Sequence, residues 1–225
     1  MAPGEIPDTP GASDGGDPVS RGMRALLARR DAALASGKAA VGWKIGFNSP
    51  AIQAHFGLRT AVVGYLVESG VVADGATVRV GSWAAPAVEV EVAIRVGEDG
   101  GVAGLAPALE LVDLDLPFDD IEPILAGNIF QRGVVFGVDV PGADPWTMEA
   151  AVHRAGQVVA EGRLVEDPAA TVAFVRSFLA GHGATLEPGD RIIGGSVVAP
   201  LPVAPGDALE VSFGPLGQLS VRFGD

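Results

Sequence analysis

The sequence predicts an α+β fold with a mixed, mostly antiparallel β core and peripheral helices. Three observations lead there. Valine and glycine are abundant, with 32 glycines in 225 residues, which favours strands joined by tight turns. Segments of strand and helix character do not alternate regularly, so a doubly wound parallel sheet is disfavoured. The stretch Pro86–Val96 alternates strictly, with Val88, Val90 and Val92 on one face and Glu89 and Glu91 on the other.

The elements follow in order. Residues 1–20 are rich in Pro, Gly, Asp and Ser and read as a disordered tail, and 21–225 as one catalytic domain. Residues 21–37 form a helix carrying Met23, Leu26, Leu27 and Leu34 at helical spacing, ended by Gly37. A strand spans 41–47. Asn48-Ser49-Pro50 then supplies a cap and a proline at the first helical position, opening a short helix to Phe56. Strands are expected at 62–67, 77–80 and 87–96. A turn at 98–101 leads into a second apolar run, 106–114, with acids embedded in it. A short helix at 119–126, a strand at 133–138 and a hairpin of 147–154 with 157–164 around Ala155-Gly156 come next. Asp167-Pro168 opens a helix to about Ala180, and the closing strands lie at 191–198 and 208–223 behind two Pro-Gly-Asp turns.

Charge and composition narrow the function. The net charge of −13 and isoelectric point near 4.5 argue against nucleic acid and anionic membranes as partners. Zinc–thiolate sites, disulfides and a cysteine nucleophile are excluded, since there is no cysteine. No apolar run approaches the roughly 20 residues of a membrane helix, and the N-terminus lacks the pattern of a signal peptide, so a cytoplasmic location is expected.

Two carboxylates two residues apart on one strand face sit roughly 6.5–7 Å apart along the chain. Such a pair either faces water or brackets a hard divalent cation, Mg²⁺ or Mn²⁺. Glu110, in Ala108-Leu109-Glu110-Leu111-Val112-Asp113, is a third carboxylate in an apolar run, where it is costly unless paired, liganded or turned to solvent. Lys44, in Val41-Gly42-Trp43-Lys44-Ile45-Gly46-Phe47, is either a snorkelling strand lysine or an active-site acid/base or carboxylate anchor whose pKa burial or a nearby cation lowers. Asn128, Gln131 and Arg132 follow the short helix within reach of a site or on its surface loop. His55, His153 and His182 show no catalytic or metal-ligand spacing.

The ordered set Gly42-Trp43-Lys44-Ile45-Gly46, Pro86-x-Val-Glu-x-Glu91, Ala108-Leu109-Glu110-Leu111-Val112-Asp113 and Gly127-Asn128 resembles the fumarylacetoacetate hydrolase superfamily, in particular its 2-oxopent-4-enoate hydratase and 4-oxalocrotonate decarboxylase branch. The closing segments 186–196, 203–207 and 216–223 are similar to that family's last strands. The resemblance implies a barrel-like β-roll with flanking helices, Mg²⁺ or Mn²⁺ at Glu89, Glu91 and Glu110, and Lys44 as catalytic residue in the pocket. With it come substrate contacts at Lys44, Ser49, Asn128 and Ser196, and a homo-oligomer, at least a dimer. The implied activity is hydration of a small unsaturated 2-oxo acid through a metal-stabilised enolate in the breakdown of aromatic compounds. Decarboxylation, carbon–carbon hydrolysis and non-catalytic binding are the alternatives. Three departures stand out. The connection from Glu91 to Glu110 is short, Val62 replaces an acid in the segment 61–64, and Val198 replaces a threonine after Gly195-Ser196.

Overall fold

Two sheets divide the strands, and their packing sets where charge is buried. The computed structural model describes residues 16–225. In the first half of the chain lie α1 (Pro18–Ala35), β1 (Ala40–Gly46), α2 (Pro50–Phe56), β2 (Val62–Val67), β3 (Val71–Val72), β4 (Thr77–Arg79), β5 (Pro86–Val96) and β6 (Val102–Asp113). The second half holds α3 (Ile121–Ala126), β7 (Gln131–Phe136), β8 (Glu149–Arg154), β9 (Gln157–Arg163), α4 (Pro168–Gly181), β10 (Arg191–Ile193), β11 (Leu201–Pro202), β12 (Ala208–Ser212) and β13 (Gln218–Gly224).

The expected α+β class with a curled, mostly antiparallel core is the one observed. The larger sheet runs β2-β1-β10-β5-β6-β7-β3, with β11 also pairing β5, and the smaller runs β4-β13-β12-β8-β9. Among the described residues parallel pairing is confined to β1 with β10, β13 with β4, and β3 with β7. Among the described residues no helix is long and apolar enough to cross a membrane.

The alternation of β5 and β6 separates two environments. Val88, Val90, Val92, Leu109 and Leu111 join Trp43, Ile192 and the inward side chains of the smaller sheet, such as Leu209, Val211 and Val221, in the main core. Burial of each large aliphatic side chain contributes about 1.5–3 kcal/mol. The opposite face holds small or short residues, Ala93, Ala106 and Ala108, with Val134 and Ile193. Glu89, Glu91 and Glu110 project from this second face. At its margin Met23 and Leu26 of α1 pack with Ile124 and Leu125 of α3, and the Arg21 guanidinium meets Glu122 at 2.6 Å.

Boundaries shift where capping or a break decides them. The tail expected at 1–20 ends sooner: Asp17 caps α1 through the Ser20 N–H, so Pro18–Ser20 are already helical, while residues 1–15 lie outside the described residues. The strand expected at 191–198 stops at Ile193, because Gly194 and Gly195 turn the chain away; a single backbone bond from Val197 N to Val90 O bridges the gap before ladder pairing with β5 resumes at Leu201. The closing strand expected at 208–223 is two strands separated by a 3₁₀ turn at Gly214–Leu216. The hairpin at Ala155-Gly156 has positive φ at both residues, +50° and +75°, as a two-residue turn of that hand requires.

Candidate metal and 2-oxo acid site

The interruption between β10 and β11 opens the sheet at one place. On that side of β5, β10 pairs Ala93–Arg95 and β11 pairs Ala87 and Val88, leaving Glu89–Val92 beside the loop 194–200. On the other side β5 pairs β6 with Glu89 directly opposite Glu110. Cross-strand partners in an antiparallel ladder project to the same face, with Cβ atoms about 4.5–5.5 Å apart. The register therefore brings all three glutamates together, and one carboxylate oxygen from each lies within 4.8 Å of the others.

Lys44 enters from β1. Its ammonium donates to Glu110 Oε1 at 2.5 Å and to the Ile129 carbonyl at 3.0 Å, and the side chain is 2 % exposed. Room for it comes from Gly64, its partner on β2, where a Cβ would stand 2.9 Å from Lys44 Cγ and 2.7 Å from Asn128 Oδ1. The Ile129 carbonyl is aimed by three consecutive left-handed residues, Asn128, Ile129 and Phe130, with φ of 65°, 54° and 64°. That conformation costs L-residues about 1–2 kcal/mol each, so the surrounding contacts must hold it. Asn128 does much of the holding: its amide donates to Tyr65 O and accepts from Tyr65 N on β2.

A cleft of about 440 Å³ opens onto this cluster. Lys44, Glu89 and Glu91 lie on its wall, with Phe47–Ile52 on one side, Val112–Phe118 on another and the loop 195–200 closing it. Glu110 is 0 % exposed and sits behind them. The short connection between Glu91 and Glu110 is the simple β5–β6 turn, so cover comes from the chain around α2 and from Phe118, whose ring lies 5.8 Å from those of Phe47 and Phe56 and stacks on Phe130 at 5.3 Å. Val62, where the resemblance would place an acid, is 1 % exposed in the apolar cluster beside α1 and α3.

The other expected contacts divide. Ser49 lines the cleft, and its hydroxyl makes no capping bond to α2, contrary to the cap expected there. Ser196 also lines it, but its hydroxyl donates to Val198 O at 2.6 Å, so that proton is already committed. Asn128 is not among the residues lining the cleft: its amide bonds the backbone of β2 and Gln131 and helps to position the Lys44 acceptor. Gln131 bonds Asn128, and Arg132 pairs with Asp115 at 2.7 Å, so neither contributes to the cleft wall. Glu166, which sequence reasoning did not single out, stands against Gly195 and repels the charge on Glu91.

Electrostatics mark the cluster as short of positive charge. Burial drives the Glu91 carboxyl well above its ordinary 4.5, reinforced by Glu110 and Glu89. Burial also raises Glu110, to about 7, although Lys44 opposes the rise. For Lys44, burial favours the neutral amine, but the carboxylates of Glu110, Glu89 and Glu91 together outweigh it, and its pKa lies above the ordinary 10.5. The lowered pKa expected from the sequence is thus reversed, because three negative charges face one ammonium.

The donor set fits a hard divalent cation. The buried acids Asp190 and Asp113 are satisfied: Asp190 accepts from Trp43 Nε1 and Glu187 N, and Asp113 from Ala84 N and Ala85 N. Glu91 Oε2 and Glu110 Oε2, by contrast, are buried with no hydrogen-bond partner among the described residues. Unsatisfied carboxylate oxygens are costly in a protein interior, and Mg²⁺, Mn²⁺ or Ca²⁺ takes such oxygens as ligands.

The pH dependence of stability follows from these directions. A carboxyl whose pKa rises on folding contributes stability in full below its unfolded value of 4.5, and this is lost as pH rises through the folded value, about 7 for Glu110. Metal-stripped protein should therefore melt at lower temperature at pH 8 than at pH 5.5. Millimolar Mg²⁺ or Mn²⁺ should raise the melting temperature more at pH 8, because protons compete for the ligands. Glu91→Gln should flatten the pH slope and remove the metal response. Calorimetry showing equal metal shifts at both pH values, or the same shift in the variant, would contradict the assignment.

No protein-family model matches the chain. It is 29 % identical over 210 residues to 4-oxalocrotonate decarboxylase of Pseudomonas sp. strain CF600, covering 84 % of this chain and 79 % of that protein. It is 28 % identical over 217 residues to 2-oxo-hept-4-ene-1,7-dioate hydratase of Escherichia coli, covering 84 % and 81 %. The structure of 4-oxalocrotonate decarboxylase from Pseudomonas putida G7, complexed with magnesium and adipate, matches at a TM-score of 0.83 and 25 % identity over 91 % of this chain and 86 % of that one. Fold, motif order and these relatives agree: over most of its length the chain is similar to hydratases and decarboxylases of 2-oxo acids, the branch of the fumarylacetoacetate hydrolase superfamily that its motifs resemble.

Proposed function

We propose that the protein is a divalent-metal-dependent lyase that hydrates a small unsaturated 2-oxo acid. The observation that carries this reading is the convergence of Glu89, Glu91 and Glu110, with two orphaned buried oxygens, beside a buried lysine at the floor of an open cleft. Glu89, Glu91 and Glu110 would hold Mg²⁺ or Mn²⁺, and a cation there supplies Lewis-acid polarisation of the 2-oxo carbonyl.

The chain's own groups supply position and protons. An ammonium carries three donors, and Lys44 spends two on Glu110 and Ile129. The third remains for a substrate carboxylate or a proton transfer at the cleft wall. Lys44 acts there as hydrogen-bond donor and as counter-charge to the substrate carboxylate. The Ser49 hydroxyl, free of capping, is placed to contact bound acid, and Ser196 contributes an acceptor oxygen. Phe47 and Phe118 keep water from the apolar end. Decarboxylation is the second reading, supported by the decarboxylase names of the sequence relative and the structural neighbour.

A homo-oligomer belongs to the same reading. Support comes from the free edge of the smaller sheet, where β9 carries Val158 and Val159, 51 % and 46 % exposed. Light scattering should give a mass above the 22.8 kDa of one chain, and a monomer at micromolar concentration would refute it.

The activity test strips the protein with chelator, reloads it with Mg²⁺ or Mn²⁺, and follows dienol absorbance and CO₂ release in parallel for 2-hydroxydienoic acids. Turnover should require the cation. Lys44→Met should lower it about 10²-fold or more, the scale of a positioned proton-transfer group, while keeping the metal-induced thermal shift. Full activity in that variant would remove Lys44 from the mechanism.

A further inference from the structure

A second cleft of about 380 Å³ adjoins the first and shares Ile45, Asn48 and Gly195 with it. Its wall combines apolar Ala61 and Phe174 with Thr60 and Thr171, and it ends on Glu166 and Asp167. The two clefts meet at these shared residues, with the glutamate cluster on one side of Gly195 and Glu166 on the other. At Gly195 the backbone has φ of +85°, and a Cβ would stand 2.6 Å from Glu166 Oε2, so only glycine lets the carboxylate approach the junction this closely.

The charges along these clefts are one-sided. Among the residues lining either cleft, Lys44 is the one lysine, arginine or histidine, and it is committed to Glu110. Glu166 makes no hydrogen bond or ion pair among the described residues, so its charge is not cancelled locally. The N-terminus of α4, which would favour an anion in the second cleft, is already occupied by Asp167, which accepts from Ala169 N at 3.0 Å.

We infer that Glu166 makes this protein selective for 2-oxo acids with an uncharged distal end, excluding dicarboxylic acids whose second carboxylate would reach the Gly195 junction. The inference rests on the proposed 2-oxo acid site and adds a substrate class to it. The two sequence relatives described above are named for dicarboxylic acids, 4-oxalocrotonate and a 1,7-dioate, so the selectivity separates this chain from them. Like charges brought close without a counter-ion repel, and Glu166, half-buried at the junction, would oppose a second carboxylate arriving there.

The test compares binding of 2-oxohexanoate and 2-oxohexanedioate, saturated acids of equal length, to Mn²⁺-loaded protein by titration calorimetry. The monoacid should bind at least about tenfold more tightly. Glu166→Gln should narrow that ratio about tenfold, through tighter binding of the diacid rather than weaker binding of the monoacid. Glu98→Gln, the same charge change on the exposed turn between β5 and β6, should leave the ratio as it was. A diacid that binds wild type as tightly as the monoacid, or a ratio that Glu166→Gln does not move, overturns this inference alone. If neither acid binds the metal-loaded protein, the 2-oxo acid site and this inference fall together.

Discussion

Three carboxylates on one buried face of a sheet, opposed by a single ammonium, are the constraint around which this structure is arranged. Placing charge in a protein interior is costly, and mutual repulsion adds to the cost. Lys44 offsets part of it through its 2.5 Å pairing with Glu110. The remainder shows in the upward displacement of Glu91 and Glu110 and in their unpartnered Oε2 atoms. An arrangement so unfavourable when empty is poised to bind a divalent cation, which would satisfy those oxygens and relieve the repulsion.

Much of the surrounding architecture holds that cluster in place. The β5–β6 register puts Glu89 opposite Glu110, and a slip of one residue would send Glu110 into the apolar core. The break between β10 and β11 opens the sheet where Glu89 and Glu91 lie, without ending the pairing that fixes β5 at both ends. Gly64 makes space for Lys44, and the Asn128 amide ties the left-handed turn to β2, keeping the Ile129 carbonyl on the ammonium. Strain in that turn is stored next to the chemistry, where a rigid acceptor has value.

The ladder face is legible in the alternation of Pro86–Val96 and in the apolar run around Glu110, because strand periodicity is local. Lys44 is legible for a related reason: a cation within a glycine-bracketed apolar strand has few bland explanations. The direction of its pKa is not, since that depends on how many carboxylates the fold brings to it. Asn128 reads in sequence as a substrate contact, and its role in clamping the left-handed turn is not legible there, because its partner Tyr65 on β2 lies 63 residues away. Glu166 escapes a sequence reading for the same reason. In sequence it is the residue before a helix cap, and only the approach of Gly195 brings it to the junction. The early end of β10 also depends on tertiary packing, where Gly194 meets Ile45.

The proposed chemistry turns on Glu89, Glu91 and Glu110 acting together as one cation site. Anomalous diffraction at the manganese edge from crystals grown with Mn²⁺ tests it most directly. The account predicts one strong peak with a carboxylate oxygen from each of Glu89, Glu91 and Glu110 at about 2.0–2.6 Å, and its loss in Glu91→Gln. Crystals whose anomalous map is flat at this cluster at millimolar Mn²⁺, or whose peak lies elsewhere in the chain, would contradict it.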